Sequence, residues 1–216
     1  MKVVEIFKSI DGEGKYTGLP AIFIRLYGCN LRCKYAEGGC DTPYSWSGDN
    51  YKEMSVEEIL NEVKKLEVKH ITLTGGEPLI HPNVDDLLNT LLDNNYIINV
   101  ETNGTVKPVI RDPNIFYTMD YKTYTSGMSD KMNFDALNSL TEFDVLKFVV
   151  GSIEDLNQSK EVLQKITSNP MVYFSPIFNK IEPKDIVEYI LNNKLYDCRV
   201  QIQLHKVIWD PNERGV

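Results

Sequence analysis

Short apolar segments alternate with amphipathic helical segments along most of this sequence. Pro20 to Tyr27 is typical of a buried strand, and Ser55 with Glu58 forms a capping box that begins a helix. Strands and helices alternating in this way predict a parallel sheet with helices on its outer face. A chain of 216 residues is short for a closed eight-unit barrel, and 121–144 shows little helical periodicity. We therefore predict an α/β fold in one domain over 1–216, an incomplete, open TIM-like β/α barrel, with a flat doubly wound sheet as the alternative.

The other predicted elements complete this alternation. Further strands are expected at His70–Thr74, Tyr96–Val100, Ile115–Met119, Val145–Val150, Met171–Phe174 and Arg199–Leu204, and further helices at Val84–Asn94, Glu154–Thr167 and Ile181–Asn192. Glycines and reactive side chains follow most of the strands. In parallel α/β folds the carboxyl ends of the strands carry the chemistry, so this rim is the predicted site. Tight turns also need glycine, which is the structural alternative at each strand end.

Three of the four cysteines form a close group. Cys29, Cys33 and Cys40 have the spacing C-x3-C-x6-C. Thiolates bind iron–sulfur clusters and zinc, but a structural zinc site usually has four ligands. Three cysteines on a four-iron cluster leave one iron open for a substrate or cofactor. We therefore predict a [4Fe–4S] cluster, with structural zinc or free thiols as the alternative, and expect Cys198 to pack in the protein.

The cluster segment resembles that of a known superfamily. Without Ala36–Gly39 it would be CNLRCKYCDTPYSW, which is similar to the cluster loop of radical S-adenosylmethionine (SAM) enzymes. Further motifs resemble the 7-carboxy-7-deazaguanine synthases of that superfamily in order and spacing: SIDGEG at 9–14, CDT at 40–42, TGGEP at 74–78, ETNG at 101–104, QLHK at 203–206 and RGV at 214–216. The resemblance covers essentially the whole chain. It departs at Asp11, where the family usually has Gln.

The resemblance implies a reaction and its cofactors. A radical SAM lyase of this family converts 6-carboxy-5,6,7,8-tetrahydropterin to 7-carboxy-7-deazaguanine with loss of ammonia, in queuosine and deazapurine biosynthesis. The implied cofactors are a [4Fe–4S] cluster, SAM and Mg²⁺, and a reductant such as flavodoxin or ferredoxin supplies the electron. The hydrogen is removed by the radical formed from SAM, and no further catalytic residue is implied.

The resemblance also implies which residues bind each group. The expected SAM contacts are Tyr35, Asp41, Gly76, Glu77, Asp120, Tyr121, Lys122, Ser175, Pro176, Ile177 and Phe178. The expected substrate contacts are Ile10, Asp11, Gly12, Glu13, Arg25, Thr74, His205 and Val216. Thr42 resembles the magnesium ligand of the family. Two alternatives stay open, since Glu77 could instead brace its turn and His205 could be a satisfied core histidine.

Arg25 also stands out from the residues alone. It lies inside an apolar strand, where a guanidinium is costly to bury without a partner. A substrate carboxylate is a natural partner because Arg binds carboxylates through two parallel hydrogen bonds. The alternative is a buried structural ion pair with Glu13 or Glu101.

Charge and hydropathy exclude several classes of protein. The net charge of −8 argues against a nucleic-acid binder, which gains affinity from clustered Lys and Arg. No apolar run approaches the roughly 20 residues that span a bilayer, and the N-terminus has no signal-peptide pattern. We expect a cytoplasmic enzyme without a membrane partner. The sequence leaves the oligomeric state open, with a homodimer as one expectation.

Two other functions fit parts of the sequence. A glycyl-radical-enzyme activase shares the cluster and a GGEP-like turn, but it acts on a protein and has no pterin pocket. Arg25 and the DGEG segment at 11–14 favour a small carboxylated substrate instead. A non-catalytic iron–sulfur or zinc scaffold is the alternative from a different class.

Overall fold

The computed structural model describes residues 1–35, 39–210 and 213–215. Within these residues it has a nine-stranded sheet. The strands are β1 Lys2–Ile10, β2 Pro20–Leu26, β3 Lys52–Glu53, β4 His70–Gly75, β5 Ile97–Thr102, β6 Ile115–Lys122, β7 Val145–Val150, β8 Met171–Pro176 and β9 Cys198–Val200. The α-helices are α1 Val56–Lys64, α2 Val84–Asp93, α3 Phe134–Leu137, α4 Ile153–Lys165, α5 Pro183–Asn192 and α6 His205–Ile208.

The sheet is open and mostly parallel. Its strand order is β3-β1-β2-β4-β5-β6-β7-β8-β9, so β3 and β9 form the two edges. All neighbours from β2 to β9 pair in parallel, whereas β1 runs antiparallel to both β2 and β3. α2 packs on β5, α4 on β7 and α5 on β8. This architecture confirms the predicted open β/α barrel.

Local sequence signals set the helix boundaries. Ser55 accepts a hydrogen bond from the Glu58 amide and Glu58 reaches back to the Ser55 amide, which confirms the capping box that begins α1. Ser152 caps α4 in a similar way. Pro183 occupies the first turn of α5, where its missing N–H costs nothing, so this helix begins later than the predicted Ile181.

Alternate residues of each strand point to opposite sides of the sheet. On β2, Ile22, Ile24 and Leu26 are fully buried in the apolar core. Phe23 and Arg25 lie on the other face and line an internal cavity. The core therefore lies between sheet and helices, and the inner face remains available for ligands.

Two predictions about strands were wrong at the edges of the sheet. β1 and β3 were not predicted, and the predicted strand Arg199–Leu204 is instead a short strand that ends at Val200. The Gln201 side chain accepts from the Gly14 amide at 2.6 Å and donates to the Gly14 carbonyl at 3.0 Å. These bonds tie the chain to the β1–β2 loop after β9. His205 consequently begins α6 and does not end a strand.

None of the helices among the described residues is long and apolar enough to cross a membrane.

Candidate active site

The cavity on the inner face has a volume of about 1260 Å³ and opens at the carboxyl ends of the parallel strands. Residues from every parallel strand from β2 to β8 line it, together with the cysteine loop and the segment around α6. Such a rim is where parallel α/β folds place their ligands. The cavity therefore lies where the sequence predicted the site.

The three clustered cysteines share this cavity. Cys29, Cys33 and Cys40 all line it, and all are free thiols. The Cys29 sulfur accepts hydrogen bonds from the Leu31 amide at 3.4 Å and the Asn103 side chain at 3.8 Å. Burial raises the pKa of Cys29 and of Cys33. Cys198 lies away from the cavity, against the apolar core.

The spacing of these thiols suits a cluster better than a single ion. Among the described residues, no three His, Cys, Asp or Glu side chains converge tightly enough to hold one metal ion. A four-iron cluster is wider than an ion, so its three ligand sulfurs stand further apart. Three cysteines that face one cavity fit a [4Fe–4S] cluster, because three protein ligands leave one iron open. Ala36, Glu37 and Gly38 of the extra segment lie outside the described residues.

Gly75 and Gly76 allow the β4 turn to contact the cysteine loop. A Cβ on Gly75 would lie 2.1 Å from the Leu26 carbonyl oxygen, and one on Gly76 would lie 2.3 Å from that of Gly28. Gly75 also has a φ of +148°, which side chains disfavour. These glycines are therefore required by backbone packing, and both also line the cavity.

Glu77 braces the turn, and its side chain does not line the cavity. It is fully buried and accepts hydrogen bonds from the Leu79 amide at 3.0 Å, the Thr102 hydroxyl at 2.8 Å and the Asn103 amide at 2.5 Å. Burial raises its pKa to about 7, although these donors oppose the shift. The expected side-chain contact with SAM is corrected accordingly, because the carboxylate is already engaged with β5.

A buried ionic network crosses the inner face. Lys147 on β7 pairs with Glu13 at 2.9 Å and with Asp120 at 3.0 Å, and Lys122 pairs with Asp120 at 3.2 Å. Only 5% of the Lys147 side chain is exposed. Burial alone would lower the Lys147 pKa, but Asp120 and Glu13 raise it overall. The Ser175 hydroxyl donates to Glu13 at 3.2 Å and so extends the network to β8.

Lys147 was missed by the sequence prediction. Its signal was present, because a lysine inside the apolar strand VLKFVV poses the same problem as Arg25 inside PAIFIRL. Glu101, also not predicted as a site residue, lines the cavity beside this network. Burial raises its pKa, although Lys147 and the Thr74 hydroxyl oppose the shift.

Arg25 lines the cavity with a partner that was not expected. Its Nε donates to Glu5 on β1 at 2.7 Å, so neither Glu13 nor Glu101 is its ion-pair partner. The guanidinium carbon of Arg25 lies 5.7 Å from the centre of the Tyr44 ring, and that of Arg214 lies 4.0 Å from the same ring centre. Burial alone would lower the Arg25 pKa, but Tyr44 and Glu5 raise it overall.

The segment Ile10–Glu13 divides between cavity and interior. Ile10, Gly12 and Glu13 line the cavity. Asp11 is instead buried below it and accepts a hydrogen bond from the Thr72 hydroxyl at 2.7 Å, which corrects the expected substrate contact through its side chain. Burial raises the Asp11 pKa to about 7, with Thr72 opposing the shift.

His205 packs directly on this segment. A Cβ on Gly12 would lie 2.1 Å from its Nδ1, so the imidazole would have to shift to admit any other residue at that position. His205 lines the cavity, and burial lowers its pKa. Val216 lies outside the described residues.

The predicted SAM residues also divide between the two faces of the sheet. Asp120 and Lys122 line the cavity, but Tyr121 points the other way and packs in the core, 5.4 Å from the Phe148 ring. Its side chain therefore cannot make the expected SAM contact. The remaining predicted contacts other than Glu77 all line the cavity: Tyr35, Asp41, Gly76, Ser175, Pro176, Ile177 and Phe178. Thr42 lines it as well and donates to Asp41 at 3.3 Å.

The cysteine loop is held from outside by Arg32. Its guanidinium lies over the Trp46 ring at 4.1 Å and donates to the Cys29 carbonyl at 2.9 Å. A cation stacked on an aromatic ring keeps a defined orientation, so this contact fixes the backbone that presents Cys29.

Residues 23–191 match the family model of the radical SAM superfamily. The chain is 42% identical to a 7-carboxy-7-deazaguanine synthase from Clostridium acetobutylicum, covering 100% of this chain and 99% of the relative. It is 44% identical to one from Aquifex aeolicus, over 94% and 90% of the two chains. The crystal structure of QueE from Escherichia coli matches with a TM-score of 0.76 and 26% identity, over 94% and 93% of the chains. SuiB from Streptococcus suis, at 14% identity and a TM-score of 0.56, shares the fold.

Proposed function

The chain belongs to the 7-carboxy-7-deazaguanine synthase family of the radical SAM superfamily, and we propose that its cavity converts 6-carboxy-5,6,7,8-tetrahydropterin to 7-carboxy-7-deazaguanine. One observation carries the assignment of substrate class. One cavity is lined by three cysteines and by Arg25, together with partly buried carboxylates and buried lysines. Its volume of about 1260 Å³ exceeds the roughly 300–1,000 Å³ of typical ligand pockets, which supports a cofactor and a substrate bound together.

The cysteine side of the cavity suits the cluster and SAM. When bound, the cluster supplies the electron that cleaves SAM and so the radical that removes hydrogen from the substrate. Cys29, Cys33 and Cys40 would hold it, and Gly76 would bring its backbone next to the SAM amino group. Asp120 would keep its charge for a SAM contact because Lys147 and Lys122 lower its pKa against the effect of burial.

A second group of cavity-lining residues suits a carboxylated pterin. Arg25 would bind the carboxylate through its two terminal nitrogens. Glu13, held by Lys147 at 2.9 Å, would accept hydrogen bonds from the pterin ring, and His205 would close that end of the pocket. Thr74 lines the wall between Arg25 and Glu101.

Magnesium belongs to the same proposal. Thr42 and Asp41 both line the cavity, next to Cys40, and offer the oxygen ligands that Mg²⁺ prefers. A single hydroxyl is a poor site by itself, so substrate oxygens and water would complete it. A flavodoxin or ferredoxin reductant and a homodimer are further parts of this proposal.

Anaerobic reconstitution with iron and sulfide tests the assignment. The expected result is visible cluster absorbance and SAM cleavage that depends on the carboxylated pterin, with 7-carboxy-7-deazaguanine and ammonia as products. Cleavage that requires a protein substrate instead would favour the glycyl-radical-enzyme activase. A stable cluster without any SAM cleavage would favour the non-catalytic scaffold.

A further inference from the structure

We propose that Glu5 is a positioning residue that holds the Arg25 guanidinium with its two terminal nitrogens facing the cavity, and thereby makes the pocket selective for a carboxylate. The inference rests on the proposed function, because it assigns Arg25 the substrate carboxylate. Glu5 itself does not line the cavity, so it acts through Arg25.

The single bond between the two residues leaves the binding edge of Arg25 open. Glu5 accepts from Nε at 2.7 Å, which is the nitrogen nearest the aliphatic stem. Within the described residues, neither terminal nitrogen has a hydrogen-bond partner, and 13% of the side chain remains exposed. The hydrogen bond at Nε restricts rotation of the planar guanidinium about the end of its side chain. The two terminal nitrogens then form a preset fork for a carboxylate.

The backbone brings Glu5 into this position. Val3 pairs with Leu26 and Glu5 with Arg25, so β1 contains one extra residue opposite β2 at this point. A bulge of this kind re-aims side chains on the strand that carries it. Here it places Glu5 directly across from Arg25 on the inner face, followed by Phe7, which stacks on Phe23 at 5.1 Å.

Glu5 is not needed merely to supply a negative charge near Arg25. Glu101 also lies near enough to raise the Arg25 pKa, and it faces the cavity. Glu5 reduces the net attraction between the pocket and an anion, since it already pairs with the cation. Its benefit to substrate binding is therefore orientation, and orientation and charge can be separated by substitution.

Two substitutions of Glu5 distinguish its effect on the orientation of Arg25 from its effect on charge. Glu5→Gln keeps an oxygen at the same reach and removes the charge. Glu5→Asp keeps the charge but withdraws the carboxylate by one methylene, too far to hold Nε in the same place. If Glu5 positions Arg25, Gln retains function and Asp loses it, whereas a purely electrostatic role predicts the reverse.

The measurement is binding of 6-carboxypterin, followed by its fluorescence, relative to pterin without the carboxylate. The wild type and Glu5→Gln are expected to prefer the carboxylated ligand, and Glu5→Asp to lose about tenfold or more of that preference. A general disturbance of the fold would weaken both ligands equally and leave the ratio unchanged. Thermal unfolding of each variant confirms that it is folded.

The outcomes separate the two proposals. If the wild type prefers the carboxylated ligand and Glu5→Asp prefers it to the same degree, the role of Glu5 is overturned. The proposed function is then left intact. Loss of preference in Gln but not in Asp would likewise overturn the role of Glu5, in favour of charge. A wild type without any preference for the carboxylate would overturn the proposed substrate and the role of Glu5 with it.

Discussion

The two faces of the sheet differ in the kind of side chain that they carry. One face is apolar and packs against the helices, and the other is charged and lines the cavity. On β7, Leu146 is fully buried in the apolar core, while its neighbour Lys147 carries the ionic network of the cavity. On β2, Ile24 and Arg25 show the same division. Adjacent residues thus serve different purposes, because strand side chains alternate in direction. The outer face stabilises the fold by apolar burial. The inner face carries charged side chains that pair with one another and are available to ligands.

The largest effect is expected from replacing single cysteines by alanine, at the cavity in three variants and against the core in a fourth. Cys29→Ala, Cys33→Ala or Cys40→Ala should each abolish the visible absorbance of the reconstituted cluster, because each removes a proposed ligand at the cavity rim. Cys198→Ala is the matched control, since that thiol packs against the core. Loss of the cluster in the Cys198 variant and its retention in the Cys40 variant would reverse the assignment.

Lys147→Met should have the next largest effect. It removes the cation shared by the partly buried Glu13 and Asp120, although Asp120 keeps Lys122 at 3.2 Å. Breaking a fully buried pair typically costs about 3–5 kcal/mol, and we expect a loss of up to that size. Pterin-dependent SAM cleavage should fall sharply because both sides of the cavity lose a fixed carboxylate. The measurement combines denaturant unfolding with the apparent KM for SAM and for the pterin.

Leu146→Ala is the control on the opposite face of the same strand. Truncating a fully buried Leu should lower the free energy of unfolding by about 2–5 kcal/mol. Both KM values should stay near those of the wild type at a temperature where the variant is folded. A large change in KM for Leu146→Ala, or none for Lys147→Met, would break the proposed division between the faces.

The sequence predicted the fold through this alternation and the helix signals between strands. β7 was predicted with its observed boundaries, and the capping box at Ser55 began α1 as expected. β1 was missed because its pairing with β2 is antiparallel and interrupted by a bulge, which the strand–helix alternation does not signal. β9 was predicted too long because the Gln201 side chain binds the distant Gly14, a contact that no local pattern encodes.

The sequence predicted those residues of the candidate site that belong to motifs. It could not predict which side chains of a strand face the cavity. The cysteines, Gly76 and Arg25 all line the cavity as the motifs suggested. Motif spacing does not tell which way a side chain points, and the side chains of Tyr121 and Asp11 point away from the cavity. Lys147 belongs to no motif, and only its charge inside an apolar strand marked it.

Asp11→Asn tests the buried polar layer below the cavity through pH. Burial raises the folded pKa of Asp11 from 3.8 to about 7, so folding favours the protonated form. The contribution of Asp11 to stability is therefore present at acidic pH and is lost as pH rises through about 7. Asn keeps the shape without ionising. It should stabilise the protein above that pH by at most about 4 kcal/mol and leave it unchanged near pH 4, roughly the ordinary pKa of Asp.

The measurement for Asp11 is denaturant unfolding of both proteins across this pH range. Glu77, also raised to about 7, is present in both and cancels in the difference. A stability difference that does not change with pH would show that Asp11 has the same pKa in the folded and unfolded states, and would remove it as a source of pH dependence.

The smallest effect is expected from Tyr121→Phe, and it sharpens the comparison because its neighbours Asp120 and Lys122 face the cavity. The Tyr121 ring packs beside Phe148 in the core, and Phe preserves that packing. We expect a change in unfolding free energy within about 0.5 kcal/mol and an unchanged KM for SAM. Asp120→Asn, by contrast, removes a charge shared by Lys122 and Lys147 and should raise that KM. Equal effects of the two substitutions on KM would mean that the backbone of this strand end, common to both faces, is what binds SAM.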